Sequence, residues 1–383
     1  MKKVLILIDS LEAGGAEKEL YTLLRYLDKQ KYMFTIVPIV DSGVYASKIK
    51  SLDGVNYHPL LTTKSGLFNY LLYVLKYKLI YSLLPAKWSY KLFVPKGHDI
   101  EIAFCEGFVT KLVSHSSNIR AYKIAWVHTD LVLNNWPLQL KIYRSKKDTT
   151  RIYESFDKVV GVSRAVCSGL SSEYDLKNVV LIYNMLDKTE ILRKASLKNS
   201  NESQMRSFRV VSVGRLTSVK GFDRLVLSIW NLKSHNKDIS IRLTIVGDGE
   251  NREELEKLIN DLDLTDCVDL VGYQYNPYIY MADADVFVCS SRYEGFSLAI
   301  AEAMILGLPI LTTNCIGPAE LVAQGQYGFL VDNTQEGLNT GLEIMFNNPE
   351  IRKRYKARSI ERSLFFKSEL VISQINDLLN YER

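Results

Sequence analysis

Short apolar runs recur along the chain, separated by stretches in which polar and apolar residues mix. Lys3 to Asp9, Phe34 to Val40, Tyr122 to Val127 and Val159 to Val166 are rich in β-branched or aromatic residues and too short for buried helices, so they read as strands covered on both faces. Asp99 to Phe104 alternates as a strand, and Val179 to Asn184 closes this first series. Phe208 to Val213, Ile241 to Val246, Val268 to Val271, Asp285 to Cys289, Ile310 to Thr313 and Gly328 to Val331 form a second series. Helices are expected between them, from about Glu17 to Leu27 and around Ala46 to Leu52. Strands alternating with helices predict two parallel-sheet α/β domains. The polar text between Leu192 and Ser207 separates them, giving a first domain over 1–192, a linker over 193–207, a second domain over 208–364 and a helical tail over 365–383.

One stretch joins a strand ending, a turn and a capped helix. Cys289 ends an apolar strand, Ser290 to Phe296 form a loop, Ser297 is placed as N-cap for Leu298 to Leu306, and Gly307 with Pro309 supplies the stop. In an open parallel sheet such a loop lies at the ligand end, and the helix start presents unpaired N–H groups to an anion. Glu294 precedes the helix and Glu302 sits in its second turn, so the two carboxylates reach different parts of one ligand, and vicinal hydroxyls suit both. The alternative is that both are solvated charges flanking a helix. The exit loop Gly214 to Gly221 places Arg215 and Lys220 before the next helix, where two cations suit a diphosphate or are simply solvated. Gly14 and Gly15 form a turn that lets backbone approach a ligand or only serves turn geometry. His128 follows a buried strand directly, at the ligand end of a doubly wound sheet.

Glu294-Gly-Phe-Ser-Leu-Ala-Ile-Ala-Glu302 resembles the E-x7-E motif of retaining glycosyltransferases of family 4, of the bacterial surface-polysaccharide type. The resemblance is dense after Val210 and thin before it. It implies the GT-B fold, two Rossmann-like domains facing across a cleft, with the first binding acceptor, the second binding the nucleotide sugar, and the tail crossing back to the first. It implies that Glu294 contacts the donor sugar, that the backbone of Gly295, Phe296, Ser297 and Leu298 carries the diphosphate, and that Glu302 holds the ribose. Arg215 and Lys220 would stabilise the departing diphosphate, His128 would lie near the donor sugar, Gly15 would belong to the amino-terminal glycine loop, and Gly272 and Tyr273 would lie near the base. The activity implied is hexosyl transfer, with retention, from a nucleotide-diphosphate sugar such as a UDP-sugar to a hydroxyl of a saccharide, lipid-linked in polysaccharide synthesis. A non-catalytic subunit of the same fold and a nucleotide-sugar epimerase are the alternatives.

Asp283-Ala-Asp285 has the D-x-D spacing of a metal site in another transferase fold, but here it precedes a buried strand, so no metal or other cofactor is expected. At 383 residues, 47% hydrophobic and 24% charged, the chain is expected to be globular with two cores, without low-complexity sequence. Five scattered cysteines without a C-x-x-C pair read as free thiols of a reducing compartment, and Val4 to Ile8 is too short for a signal h-region, so a cytoplasmic protein is expected. Residues 1–190 hold 26 Lys+Arg against 18 Asp+Glu, an excess of +8, whereas residues 191–383 hold 22 against 25, or −3. Much of the aromatic and basic character gathers between Lys64 and Lys96. Helices of this composition lie in an anionic membrane interface, or else turn their rings to a core and leave lysines outside. An anionic membrane surface is therefore an expected partner, and nucleic acid is not.

Overall fold

In the computed structural model, which describes residues 1–62, 67–197, 207–235 and 239–380, the chain divides into two compact units. Unit 1 comprises Met1–Met185 with Glu369–Arg383, and unit 2 comprises Leu186–Ser368.

Unit 1 is built on seven strands: β1 (Lys2–Ile8), β2 (Tyr32–Pro38), β3 (Val55–Tyr57), β4 (Ile100–Ala103), β5 (Tyr122–Val127), β6 (Lys158–Gly161) and β7 (Val179–Leu181). They lie in the order β3-β2-β1-β4-β5-β6-β7, every pair parallel. Ile6 stands in register with Ile36 on one side and Ile102 on the other, and Val4 to Ile8 are buried in succession with side chains on alternate faces, so the middle of the sheet is apolar on both faces. The run expected to continue to Val166 leaves the sheet at Gly161, because Ser163 accepts a hydrogen bond from the Val166 amide and starts the helix Arg164–Glu173. Local capping there outweighs the β-branched composition. The basic aromatic segment forms the helix Leu67–Lys78, one π-helical turn over Leu79–Leu83, and the helix Ala86–Phe93 after Pro85; Lys64 falls outside the described residues. The last helix, Ser368–Leu379, packs against unit 1 through buried Val371, Ile375 and Leu379, and Lys2 Nζ donates to the Leu379 carbonyl at 3.1 Å.

Unit 2 holds β8 (Phe208–Val213), β9 (Ile241–Val246), β10 (Val268–Leu270), β11 (Val286–Cys289), β12 (Ile310–Thr313) and β13 (Phe329–Val331), again all parallel, in the order β10-β9-β8-β11-β12-β13. Val210 sits between Leu243 and Val286 in register, inside a core that includes Leu225, Ile229, Leu338 and Leu342. The chain enters unit 2 at Leu186, and the helix Lys188–Ala195 occupies the start of the polar stretch; 198–206 lie outside the described residues. β8 is flanked by β9 and β11, so the order reverses between β8 and β11, and their carboxyl ends form the switch point at which ligands bind in open α/β sheets.

Candidate active site

The exit loops of β8 and β11 meet at this switch point. After β8 the chain makes a single 3-10 turn, Ser218–Lys220, and reaches the helix Phe222–His235 through Gly221. Gly221 has φ +64°, and a Cβ there would lie 2.2 Å from the Ser290 carbonyl oxygen, so the loop after β11 approaches as closely as it does only against a glycine. Several bonds bolt the two loops together. Ser290 Oγ donates to the Lys220 carbonyl at 2.9 Å, Arg292 N donates to the Val219 carbonyl at 2.7 Å, and the Arg292 guanidinium takes both oxygens of Asp223 at 2.9 and 2.6 Å. Arg224, largely buried, donates to the Ser290 carbonyl at 2.6 Å from below.

Within this frame Lys220 Nζ lies 2.7 and 2.6 Å from the two oxygens of Glu294, and Ser291 Oγ donates to Glu294 Oε2 at 2.9 Å. Burial alone would lower the Lys220 ammonium, but the Glu294 carboxylate more than offsets it and holds the group above the ordinary lysine range. Glu294 is fixed through its backbone as well. Its carbonyl accepts the Gly317 amide at 3.1 Å, and a Cβ on Gly317 would come within 2.5 Å of the Gly295 carbonyl. The carboxylate is therefore held on a rigid loop.

Ser297 starts the helix Leu298–Ile305, its Oγ accepting the Ile300 amide at 3.4 Å, and Gly295, Phe296 and Ser297 are buried with Leu298 half-exposed. Glu302 is 2% exposed, unusual for a carboxylate, and its Oε1 accepts the Tyr278 hydroxyl at 3.2 Å. Arg215 is exposed on the β8 exit. Gly272 (φ +73°) and the partly exposed Tyr273 follow β10, where the Gly272 carbonyl accepts the Gly247 amide at 2.9 Å. Unit 2 thus gathers Lys220, Glu294 and the Ser297 helix start at one switch point, with Arg215 on the same β8 loop as Lys220. The arrangement offers a cation, helix N–H groups and carboxylates, which are complementary to an anion bearing hydroxyls.

His128 and Gly15 belong to unit 1. Gly15 opens the helix Gly15–Tyr26 after β1, and His128 follows β5 directly. Its Nε2 is 3.1 Å from the Phe104 carbonyl, which only accepts, so Nε2 carries the proton and Nδ1 is the acceptor. Burial pushes the imidazole below its ordinary range, outweighing the pull of Glu106 in the other direction. The ring is neutral at neutral pH.

Asp283 and Asp285 are occupied by Arg209: its amide donates to Asp285 Oδ2 at 2.9 Å and its guanidinium pairs with Asp283. Among the described residues no group of three or more His, Cys, Asp or Glu side chains is placed to hold a metal ion.

Sequence reasoning passed over Ser291, Asp223, Arg292 and Tyr278 in unit 2 and Glu106 in unit 1. Glu106 is 3% exposed, and its Oε1 accepts the His128 amide at 2.5 Å, the Thr129 amide at 2.6 Å and Thr129 Oγ1 at 3.0 Å. A carboxylate two residues beyond a buried strand was the available signal, and it is a weak one.

Residues 193–362 match the glycosyl transferases group 1 family. A Campylobacter jejuni N-acetylgalactosamine-N,N'-diacetylbacillosaminyl-diphospho-undecaprenol 4-alpha-N-acetylgalactosaminyltransferase is 25% identical over 376 residues, covering 96% of each chain. The amylovoran biosynthesis glycosyltransferase AmsD of Erwinia amylovora is 32% identical over 231 residues, 60% of this chain and 63% of AmsD, so that match spans less than two thirds of the relative. The crystal structure of Anabaena HepE in complex with UDP and glucose superposes with a TM-score of 0.77 at 19% identity, covering 100% of both chains. The fold is accordingly GT-B, with two Rossmann-like units on seven-stranded and six-stranded parallel sheets.

Proposed function

We propose that the chain is a glycosyltransferase of bacterial polysaccharide synthesis that moves a sugar, with retention at its anomeric carbon, from a UDP-sugar held by unit 2 to a hydroxyl of a saccharide acceptor. The observation that carries this reading is the Lys220–Glu294–Ser291 cluster beside the Ser297 helix start, at the switch point of a unit matching the group 1 family. HepE, of the same fold, is described in complex with UDP and glucose. In this reading the diphosphate lies against the start of the helix Leu298–Ile305, with Arg215 and Lys220 as its cations, and Glu302 accepts from the ribose hydroxyls.

The bond between the anomeric carbon and the diphosphate oxygen breaks, the electron pair leaves with the diphosphate, and the acceptor hydroxyl attacks the same face as its proton passes to the departing diphosphate oxygen. In this reading negative charge grows on the leaving oxygen, where Arg215, Lys220 and the helix N–H groups stabilise it. Glu294 is held where a sugar hydroxyl can replace part of its pairing with Lys220.

The acceptor in this reading is lipid-linked and met at a cytoplasmic membrane face. Support comes from unit 1, where Leu71, Leu72 and Leu75 on one helix and Trp88 and Leu92 on the next are each about half or more exposed, beside exposed Lys78, Lys87 and Lys91. The Campylobacter jejuni relative's name carries a diphospho-undecaprenol acceptor. No helix among the described residues is long and apolar enough to cross a membrane, so attachment would be from the surface.

Incubation of the protein with a panel of UDP-sugars and other nucleotide sugars, together with a membrane lipid extract as acceptor, tests the reading. Release of UDP from one donor with radiolabel passing to the lipid phase is expected. Absence of nucleotide release from every donor would overturn it.

A further inference from the structure

Three consecutive carbonyls of the loop after β11 accept hydrogen bonds from side chains carried by three other elements of unit 2. The Ser290 carbonyl takes Arg224 Nη2, from the helix Phe222–His235, at 2.6 Å. The Ser291 carbonyl takes Thr313 Oγ1 at 2.6 Å and Cys315 Sγ at 2.8 Å, from the end of β12 and just beyond it. The Arg292 carbonyl takes Asn333 Nδ2 at 2.9 Å, from the exit of β13. On its other flank the same tripeptide is tied to the exit of β8, through the Ser290 hydroxyl and the Arg292 amide. Glu294 follows two residues later, and Ser291, with its carbonyl pinned in this way, is the residue whose hydroxyl donates to Glu294.

Of the four side chains that hold these carbonyls, Arg224, Thr313 and Cys315 are buried and Asn333 is exposed. An exposed loop asparagine ordinarily turns its amide to water. Here each polar atom of the side chain turns inward: Nδ2 donates to the Arg292 carbonyl and to Cys315 Sγ at 3.4 Å, and Oδ1 accepts Arg224 Nη2 at 2.9 Å. The reversed amide would set its oxygen against a carbonyl and its NH2 against a guanidinium, so the partners fix the orientation. The Asn333 main-chain carbonyl accepts from Arg224 as well, Nη1 lying 3.3 Å away. Asn333 therefore controls both ends of the tripeptide, Arg292 directly and Ser290 through Arg224.

We propose that Asn333 is a positioning residue for sugar transfer, acting through Arg224 and the Arg292 carbonyl to keep the loop after β11, and with it the Glu294 carboxylate, in the geometry that captures the donor sugar. The proposal rests on the glycosyltransferase reading and adds to it a residue that acts at one remove from the donor. The groups which that reading gives to UDP, the Ser297 helix start and Glu302, lie outside the pinned tripeptide, so the loss of Asn333 falls on the sugar-dependent step and spares UDP itself.

Asn333→Asp separates position from stability. Arg224 gives its hydrogen bonds to neutral oxygens in wild type, and the new carboxylate keeps an acceptor for it and adds a charge-assisted pair. The second carboxylate oxygen, however, stands against the Arg292 carbonyl in place of a donor. Full-length wild type, Asn333→Asp and Asn333→Ala are compared by melting temperature, by calorimetry with UDP, and by UDP release with a membrane lipid extract as acceptor. The donors are UDP-glucose, UDP-galactose, UDP-N-acetylglucosamine and UDP-N-acetylgalactosamine. Asn333→Asp is expected to melt with wild type and to bind UDP within about twofold, yet to lose about tenfold or more in turnover on the donor that wild type uses, since a shift on the order of 1 Å at a reacting group costs that much. Asn333→Ala should show the same loss of turnover with a lower melting temperature. Turnover near wild type in both variants, or a fall in UDP affinity or melting temperature in step with turnover in Asn333→Asp, would overturn the proposal. Either outcome leaves the donor reading standing, because wild type still binds UDP and releases it from a donor; wild type that does neither overturns both.

Discussion

The Lys220 ammonium and the Glu294 carboxylate occupy each other at 2.6 and 2.7 Å, although the donor reading gives one to the diphosphate and the other to the sugar. In that reading Lys220 exchanges the carboxylate for the diphosphate, while Glu294 exchanges part of its pairing for a sugar hydroxyl. That keeps both groups desolvated and oriented without leaving either charge unpaired.

From this pairing it follows that Lys220→Ala harms both stability and turnover. The Lys220 side chain is 27% exposed and that of Glu294 10% exposed, so stranding the carboxylate is expected to cost about 1–3 kcal/mol of stability. Replacing both, as Lys220→Met with Glu294→Gln, should restore most of the stability and none of the turnover. Urea denaturation and UDP release with saturating donor measure the two effects. Turnover near wild type in the double variant would make the pair purely structural.

Glu302 and Tyr278 divide differently. Tyr278→Phe removes the 3.2 Å bond to Glu302 Oε1 and should cost about 1 kcal/mol of stability while leaving UDP affinity within a few fold. In the donor reading Glu302→Ala removes an acceptor for the ribose hydroxyls, with about 1.5–3 kcal/mol expected in UDP binding. Calorimetry with UDP alone distinguishes them, and unchanged affinity in a folded Glu302→Ala variant would take Glu302 out of the donor site.

The recurrence of apolar runs made the sheets of both units legible because central strands are buried on both faces, as the consecutive burial of Val4 to Ile8 shows. The Ser297 cap was legible because capping is local, and chain spacing alone set Glu294 before that helix and Glu302 inside it. What was not legible is long-range. Arg292 finds Asp223, Gly221 fits under the Ser290 carbonyl, and Glu106 gathers the β5 exit only after the sheet has set their positions. The strand expected through Val166 failed for a local reason, since nothing in its composition weighed against the Ser163 cap.

Glu19 gives a pH dependence of stability. It is 1% exposed, and its Oε1 accepts the amide of Met185, the residue at which unit 1 gives way to unit 2, at 2.8 Å. Burial pushes its carboxyl up to about 8 from 4.5, against the Met185 hydrogen bond and Lys18. The folded state then holds a proton that the unfolded state releases, so this group's contribution is fully present below about 4.5 and is lost as pH rises to about 8. Glu19→Gln keeps an oxygen for Met185 and should flatten that decline, making the variant more stable than wild type at pH 8 by on the order of 1–3 kcal/mol. Denaturation midpoints at acid, neutral and alkaline pH read this out, and parallel curves for the two proteins would refute it.

Chelation should leave transfer intact. Arg209 already takes both Asp283 and Asp285, and in the proposed donor reading Arg215, Lys220 and a helix start would meet the diphosphate charge. Turnover in excess EDTA within about twofold of the untreated rate is expected; abolition with rescue by magnesium or manganese would return a metal to the site.

The membrane reading makes the most exposed claim. Leu71 is 56% exposed, Leu75 53%, Trp88 52% and Leu92 61%, so the apolar residues of this region do not all face a core. Lys76 and Lys91 stack over Phe93 and Trp88, at 5.6 and 5.2 Å from the ring centroids, keeping charge and ring together as an interfacial helix requires. Each lysine near an anionic leaflet contributes about 1 kcal/mol, and the inserted side chains add to it, so a handful suffices for reversible docking. Attraction of this kind is screened beyond about 8–10 Å at physiological salt. Co-sedimentation with vesicles containing phosphatidylglycerol is therefore expected at low ionic strength, declining in high salt and absent with purely zwitterionic vesicles. Replacing Lys76, Lys78, Lys87 and Lys91 by Glu should abolish it while UDP binding, which the donor reading assigns to unit 2, is unchanged. If wild type ignores anionic vesicles at low salt, the exposed leucines serve another purpose and a soluble saccharide becomes the acceptor to test.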